Sequence, residues 1–458
     1  MVLGSAFSSR RKIAACKHRL PAVVAVVFLA TPLVAQTGDG TGAPQEQPHE
    51  HEQAAGEMDM VDMTPASMYL MNIASGTFVN PASWPMPMIM THVGSWNTMF
   101  MGVGFVVDTQ QSGPRGGDKL YSPNWFMAAA EHRLGKVGGF QLDLMLSLDP
   151  ATITDESYPL LFQTGETPYG RSLVDAQHPH NLIMGTGLHY ARELGEDTTL
   201  ELYLAPVGDP ALGPTAYPHR ASAMELPEAT ISHHWQDSTH ISDDVVTVGL
   251  QYRKFKLEAS GFHRAEPGEN RWMIQQGPID SWSGRLWFFP TKYWAAQVSF
   301  GRLTHPEAIE AGDQTRVTAS VEYTRPMPGG SWASTLSWGR VHGTATLRNS
   351  NSYLAESVLP LTRGNFITGR FELVDKEDLF ADDPTLQQHL DLLYGSTFRV
   401  GACTCGYTRD IDLFRSVEIG IGENFTAYSL PNAIKPYYGN HPVGGNIFIR
   451  FRLRRPNF

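Results

Sequence analysis

The stretch ISHHWQDSTHIS, Ile231 to Ser242, gathers His233, His234, Asp237 and His240 in one short span. If the backbone there turns helically, His233, Asp237 and His240 fall on one face at i, i+4 and i+7. Two imidazoles and a carboxylate on one face would hold zinc, nickel, copper or iron and leave coordination positions open. Asp237 would alternatively orient His233 through a hydrogen bond. The plainer reading is an ordered polar loop at the mouth of a larger structure. A second histidine pair, His178 and His180 in DAQHPHN, flanks a proline that favours an extended backbone. It would join the first cluster only if both segments fold inward. His219 and Arg220 add to the same region. A third set lies near the N-terminus: His49, His51, Met58, Met60 and Met63, with Asp59 and Asp62. Thioethers suit Cu(I) and imidazoles suit Cu(II). The cofactor expectation is therefore a divalent metal or copper, against a metal-free polar loop and tail. Catalysis has thin support. The sequence lacks a G-x-S-x-G elbow and a glycine-rich phosphate loop, and Ser238 beside Asp237 and His240 is only a neighbour in sequence.

What must position these residues is written in the rest of the chain. Its formal charge of −11 speaks against a nucleic-acid partner. A basic stretch from Arg10 to Arg19 followed by the apolar run Leu20 to Ala35 reads as a secretory signal spanning 1–35. Beyond it only Cys403 and Cys405 remain, so an exported chain here does not depend on a disulfide framework. Residues 36–66 lack apolar periodicity and read as a disordered, Met- and His-rich periplasmic tail.

After Trp96 the pattern alternates with a period of two, the signature of β-strands. Asn97, Met99, Met101, Val103, Phe105 and Val107 form one nearly apolar face. Leu142, Leu144 and Leu148 share another, as do Leu202 and Leu204, Val298 and Phe300, and Ile447, Ile449 and Phe451. Opposite faces carry Asp143, Glu201, Glu258, Glu322, Glu372, Glu418, Arg450 and Arg452. By the same alternation Cys403 and Cys405, with Arg399 and Tyr407, are expected on the inward face. A secreted sandwich and a membrane barrel would both alternate in this way. Connection lengths separate them. Short links at Arg133–Gly138, Glu193–Asp197, Arg253–Lys254, Pro290–Lys292, Pro326–Gly330, Thr362–Gly364 and Asp410–Arg415 alternate with longer ones, among them Asp149–Leu182 and Pro206–Asp243. Short turns on one side and long loops on the other are the habit of an outer-membrane barrel. The expected fold is all-β, a transmembrane antiparallel β-barrel of about sixteen strands with long external loops.

The segments ASGTFVNPASWPMPM, GPRGGDKL, DAQHPHN, HRASAMELPEA, HHWQDSTHI and NHPVGGNIFIRFRL resemble a family of uncharacterised outer-membrane β-barrel proteins of Gram-negative bacteria. The resemblance covers most of the chain after Ser67. It implies a barrel in the outer membrane and carries no activity with it. The tail is also similar in composition to copper-resistance outer-membrane proteins. The expected organisation is then signal, tail, a plug or lead-in segment over 67–95, and a barrel over 96–458. Two functions are expected to compete. One is a channel or transport protein, linked to copper tolerance if the tail binds metal. The other is a metal-binding protein or enzyme whose long external loops hold a His/Asp site. The expected partners are outer-membrane lipid and small solutes or metal ions.

Overall fold

The computed structural model describes residues 64–166, 171–264, 270–306, 312–345, 347–395 and 397–454. Sixteen antiparallel strands close into one barrel. They are β1 (Trp96–Gln111), β2 (Asn124–Arg133), β3 (Gly138–Leu146), β4 (Ile183–Gly195), β5 (Thr198–Gly208), β6 (Ser242–Tyr252), β7 (Phe255–His263) and β8 (Ser281–Phe288). The circuit continues through β9 (Trp294–Leu303), β10 (Gln314–Met327), β11 (Gly330–Gly343), β12 (Asn349–Thr362), β13 (Asn365–Lys376), β14 (Phe398–Ile411), β15 (Val417–Ser429) and β16 (Val443–Leu453). The seam pairs β16 with β1, Ile449 opposite Val106 and Phe451 opposite Gly104. Closure leaves no strand edge unpaired, as a spanning sheet in hydrocarbon requires.

The outward face is apolar. Leu204, Val248, Leu257, Val298, Leu336 and Ile447 are all exposed on the barrel surface. At the short-turn end aromatic rings gather: Phe255 stacks on Phe288 at 4.9 Å, Trp294 lies 4.5 Å from Tyr323, and Tyr323 meets Trp332 edge-on at 5.1 Å. Such a girdle marks the membrane–water boundary. The predicted short and long connections alternate as expected.

Two phase expectations are corrected. In β1 the face of Met99, Met101, Val103, Phe105 and Val107 points inward and is buried, while Phe100 and Val106 point to lipid. The reason is that this side of the lumen meets apolar groups of an inserted loop, among them Ala223, Met224 and Tyr217, rather than water. In β14, Val400 and Ala402 point inward, so Cys403 and Cys405 are exposed on the outer face. Arg399 misled the reading. It sits near the external rim, where it pairs with Asp375 at 2.7 Å instead of pointing into the lumen.

The chain ahead of β1 lies against the inner wall. Helix α1 (Pro65–Met71) begins with Thr64, whose hydroxyl accepts from the Ser67 amide at 3.2 Å, and with proline in its first turn. Ser67 donates to Glu131 of β2 at 3.0 Å, and the Lys256 ammonium of β7 donates to the Tyr69 hydroxyl at 3.0 Å. A short strand pair, Ile73–Ser75 with Phe78–Val79, follows. Its turn needs Gly76, which has φ +49° and packs so closely that an added Cβ would stand 2.5 Å from the Asp209 side chain. The segment then returns to the short-turn end, where the Ser83 amide donates to the Lys292 carbonyl at 2.8 Å. Trp84–Met90 leads from there into β1.

Candidate functional site

The connection between β5 and β6, residues 209–241, turns into the barrel, and nearly all of it is buried. The wall holds its backbone. Ser260 and Ser299 hydroxyls accept from the amides of Ala211 and Gly213 at 2.8 and 2.9 Å. Glu322 accepts from the Thr215 amide at 3.2 Å, and Glu372 from the amides of Ile231 and Ser232 at 3.3 and 2.9 Å. The inward carboxylates thus serve as partners for loop amides that would otherwise be buried without acceptors.

Arg220 pins the loop. Its Nε donates to Glu356 of β12 at 2.6 Å and its Nη1 to Asp237 at 2.9 Å. Ser222 donates to the same Glu356 oxygen at 2.8 Å, and Arg370 of β13 donates to the other at 3.0 Å. All these groups are buried, so each charge depends on its partner.

Asp237 also organises the histidines. His233, in the single helical turn His233–Gln236, donates from Nδ1 to Asp237 at 2.7 Å, four residues on as the spacing predicts. The Tyr217 amide donates to the second Asp237 oxygen at 2.9 Å. Burial pushes this carboxyl up, but the His233 imidazole, Arg220 and His240 outweigh it and hold Asp237 well below the usual carboxylate range. His240 donates from Nδ1 to the Asp237 carbonyl at 3.0 Å, and its Nε2 is buried without a partner.

The DAQHPHN segment does fold inward. His180 faces Asp149 through Nδ1 at 2.8 Å and the Tyr217 hydroxyl through Nε2 at 3.2 Å. Its ring lies 5.6 Å from that of His240, which lies 5.1 Å from that of His233. His178 Nδ1 faces the Pro179 carbonyl at 2.8 Å. Burial, with His233 next, lowers His234 well below the ordinary imidazole range, and burial, again with His233 next, lowers His240. Burial and then Arg271 lower His178. The structure therefore unites His180, His233 and His240 around Tyr217, with Asp237 beneath them. Among the described residues, no group of three or more His, Cys, Asp or Glu side chains is placed to hold a metal ion. Ser238 meets Arg316, whose Nη1 donates to its hydroxyl at 2.9 Å. The tail residues His49, His51, Met58, Met60 and Met63, and the signal segment, lie outside the described residues.

Sequence reasoning missed Glu225 and Asp149, and it grouped Asp175 with His178 and His180 of DAQHPHN without assigning it a role. Asp149 shows itself only as the first residue of the long connection Asp149–Leu182, and Glu225 only as one acid in AMELPEA. Asp175 knits the external loops, taking hydrogen bonds from Arg115 at 2.5 Å, the Phe162 amide at 2.8 Å and the Tyr438 hydroxyl at 3.1 Å. At the short-turn end a cavity of about 1630 Å³ remains. The strap Trp84–Met90 bounds it on one side, Met224 and Glu225 cap it, and Glu418, Arg452 and Arg454 form its wall.

The closed sheet, apolar exterior and filled lumen define a sixteen-stranded outer-membrane β-barrel. Neither a protein-family model nor a curated protein matches the chain. Among solved structures it is similar to an anion-selective porin from Comamonas acidovorans, with 10% identity, 78% of this chain and 99% of that one covered, and a TM-score of 0.48. It is similar also to Salmonella typhi OmpF in complex with daunomycin, at 7% identity, 80% and 100% coverage and a TM-score of 0.46. A third is the outer membrane channel DcaP of Acinetobacter baumannii, at 9% identity, 80% and 99% coverage and a TM-score of 0.44.

Proposed function

We propose that this barrel is an outer-membrane channel or transport protein, held shut by two insertions that enter its lumen from opposite mouths. The observation that carries the reading is the Arg220 pin. A loop with no task inside the lumen would lie outside, where its amides and charges stay hydrated. Here a guanidinium is buried between Glu356 and Asp237. Buried ion pairs contribute little net stability but hold one arrangement, and they are lost abruptly when a partner leaves. That behaviour suits a gate. Single-channel recording in planar bilayers tests it. The wild-type protein should show small or rare currents and Arg220→Ala frequent large ones. A folded Arg220→Ala barrel that passes no more current than wild type would count against the reading.

A second reading is a metal-binding mouth, tied to metal or copper tolerance or to a metal-dependent activity. One observation favours it. The Nδ1 atoms of His178, His180, His233 and His240 each face an oxygen acceptor, and Nε2 of His240 is buried without a hydrogen-bond partner. Metal-bound imidazoles are commonly held in this way. Its test is stoichiometric zinc or copper retained through purification and lost in the His233→Ala, His240→Ala double variant.

A further inference from the structure

We propose that Glu225 is a tethered occupant of an oxyanion site, and that a free oxyanion-bearing solute entering from the short-turn side competes for it. The proposal rests on the channel reading and adds the chemical class of ligand that would release the loop. Glu225 belongs to the inserted loop and is buried. One of its oxygens takes a hydrogen bond from Arg450 Nη1 and the other from Arg452 Nη1 at 3.0 Å. Arg450 and Arg452 are two residues apart on β16, so both guanidiniums leave the same face of the strand. A carboxylate bridging two guanidiniums is the arrangement by which arginines recognise carboxylates and phosphates.

The charge balance of the wall explains why an anion must sit there. Four guanidiniums, Arg363, Arg450, Arg452 and Arg454, share ion pairs with three wall carboxylates, Asp410, Asp412 and Glu418. Within this ion-paired set four positive and three negative charges leave an excess of one positive charge, which Glu225 offsets, and Arg409, which lines the same cavity, adds a further positive charge. The balancing anion is therefore the one member of the network carried on the inserted loop, the others lying on wall strands or on the short turns and strand ends beside them. Glu225, Arg452 and Arg454 all face the cavity of about 1630 Å³, which reaches Gly329, Gly364 and Asp412 at the short turns. A phosphate or a small carboxylate has room to arrive there, and the opposite side, Trp84 to Met90, offers an apolar wall to the body of a carboxylate.

The test uses full-length protein in lipid nanodiscs, with inorganic phosphate and benzoate as probes, titrated by calorimetry. Glu225→Gln keeps the shape of the side chain and removes its charge. It should bind at least one probe about tenfold or more tighter than wild type, the scale of one charge-assisted hydrogen bond released for a new partner. Phosphate alone would assign the site to phosphate-bearing solutes and benzoate alone to carboxylates. The double variant Glu225→Gln, Arg452→Gln should lose the gain. Equal binding by wild type and Glu225→Gln, or full binding by the double variant, overturns the proposal. These readouts do not involve current. If Arg220→Ala conducts while Glu225→Gln gains no binding, the oxyanion site falls and the channel stands. If Glu225→Gln binds while no variant conducts, the reverse holds.

Discussion

The two sides of the lumen receive the same inserted loop in opposite ways. Toward β1 and β2 the contact is apolar, Met99, Met101, Trp125 and Met127 meeting Tyr217, Ala223 and Met224. Toward β10, β12 and β13 it is ionic and hydrogen-bonded, through Glu322, Glu356, Arg370 and Glu372. The contrast teaches that the inner face of a barrel takes its polarity from what fills it. The ionic side fixes one position for the loop, because each charge must find its partner. The apolar side tolerates small shifts, because dispersion contacts re-form with neighbours.

Breaking the ionic side should have the largest effect. Arg220→Ala leaves Glu356 and Asp237 short of a buried counter-charge and should cost about 3–5 kcal/mol of loop docking, read as protease cleavage within 209–241 and as raised conductance. Acidification should come next. Burial, and then His180, hold His219 near a pKa of about 3 in the folded protein, against about 6.5 when free. The folded state prefers the neutral ring, so this contribution is complete above about pH 6.5 and is lost as pH falls toward the folded value, by up to about 1.4 kcal/mol per pH unit. Cleavage of the loop should rise over that window in wild type and less in His219→Gln. Glu372→Gln, which weakens two bonds to loop amides, should cost about 1–3 kcal/mol, measured by the same cleavage assay. On the apolar side, Met101→Leu should cost less than about 1.5 kcal/mol and leave conductance unchanged. A cysteine at Phe100 should react with a lipid-soluble reagent and one at Met101 should not; the opposite pattern would return β1 to the phase read from its sequence. The smallest effect should follow removal of residues 37–63, with no measurable change in thermal stability. Lost copper retention in that variant would assign the tail a metal role.

The barrel was legible because two independent signals agree, a period of two within strands and an alternation of short and long connections. The phase of β1 was not. Met99 and Met101 resemble lipid-facing residues in every respect except what stands opposite them, which is a loop more than a hundred positions away in sequence. Cys403 and Cys405 were misplaced because Arg399 shares their face, and at a barrel rim a charge on the outer face can reach water or Asp375. In the candidate site, the pairing of His233 with Asp237 was legible from helical spacing. The approach of His180 was legible only as a condition, that both loops fold inward. Glu225 had no local signature, since its role depends on where β16 places two arginines.

The insertions touch midway. The Asn80 amide group donates to the His219 carbonyl at 2.9 Å, the Ala221 amide donates back to Asn80 at 3.1 Å, and Thr215 donates to the Val79 carbonyl at 3.0 Å. One insertion belongs to the periplasmic side and the other to the cell exterior. On the gate proposal each would withdraw through its own mouth. Because they share these hydrogen bonds, neither can leave without lowering the other's hold. By linkage, whatever pulls on one side is felt on the other with equal free energy. If the insertions gate the barrel as proposed, the contact at Asn80 would act as a mechanical joint between two compartments, transmitting in both directions.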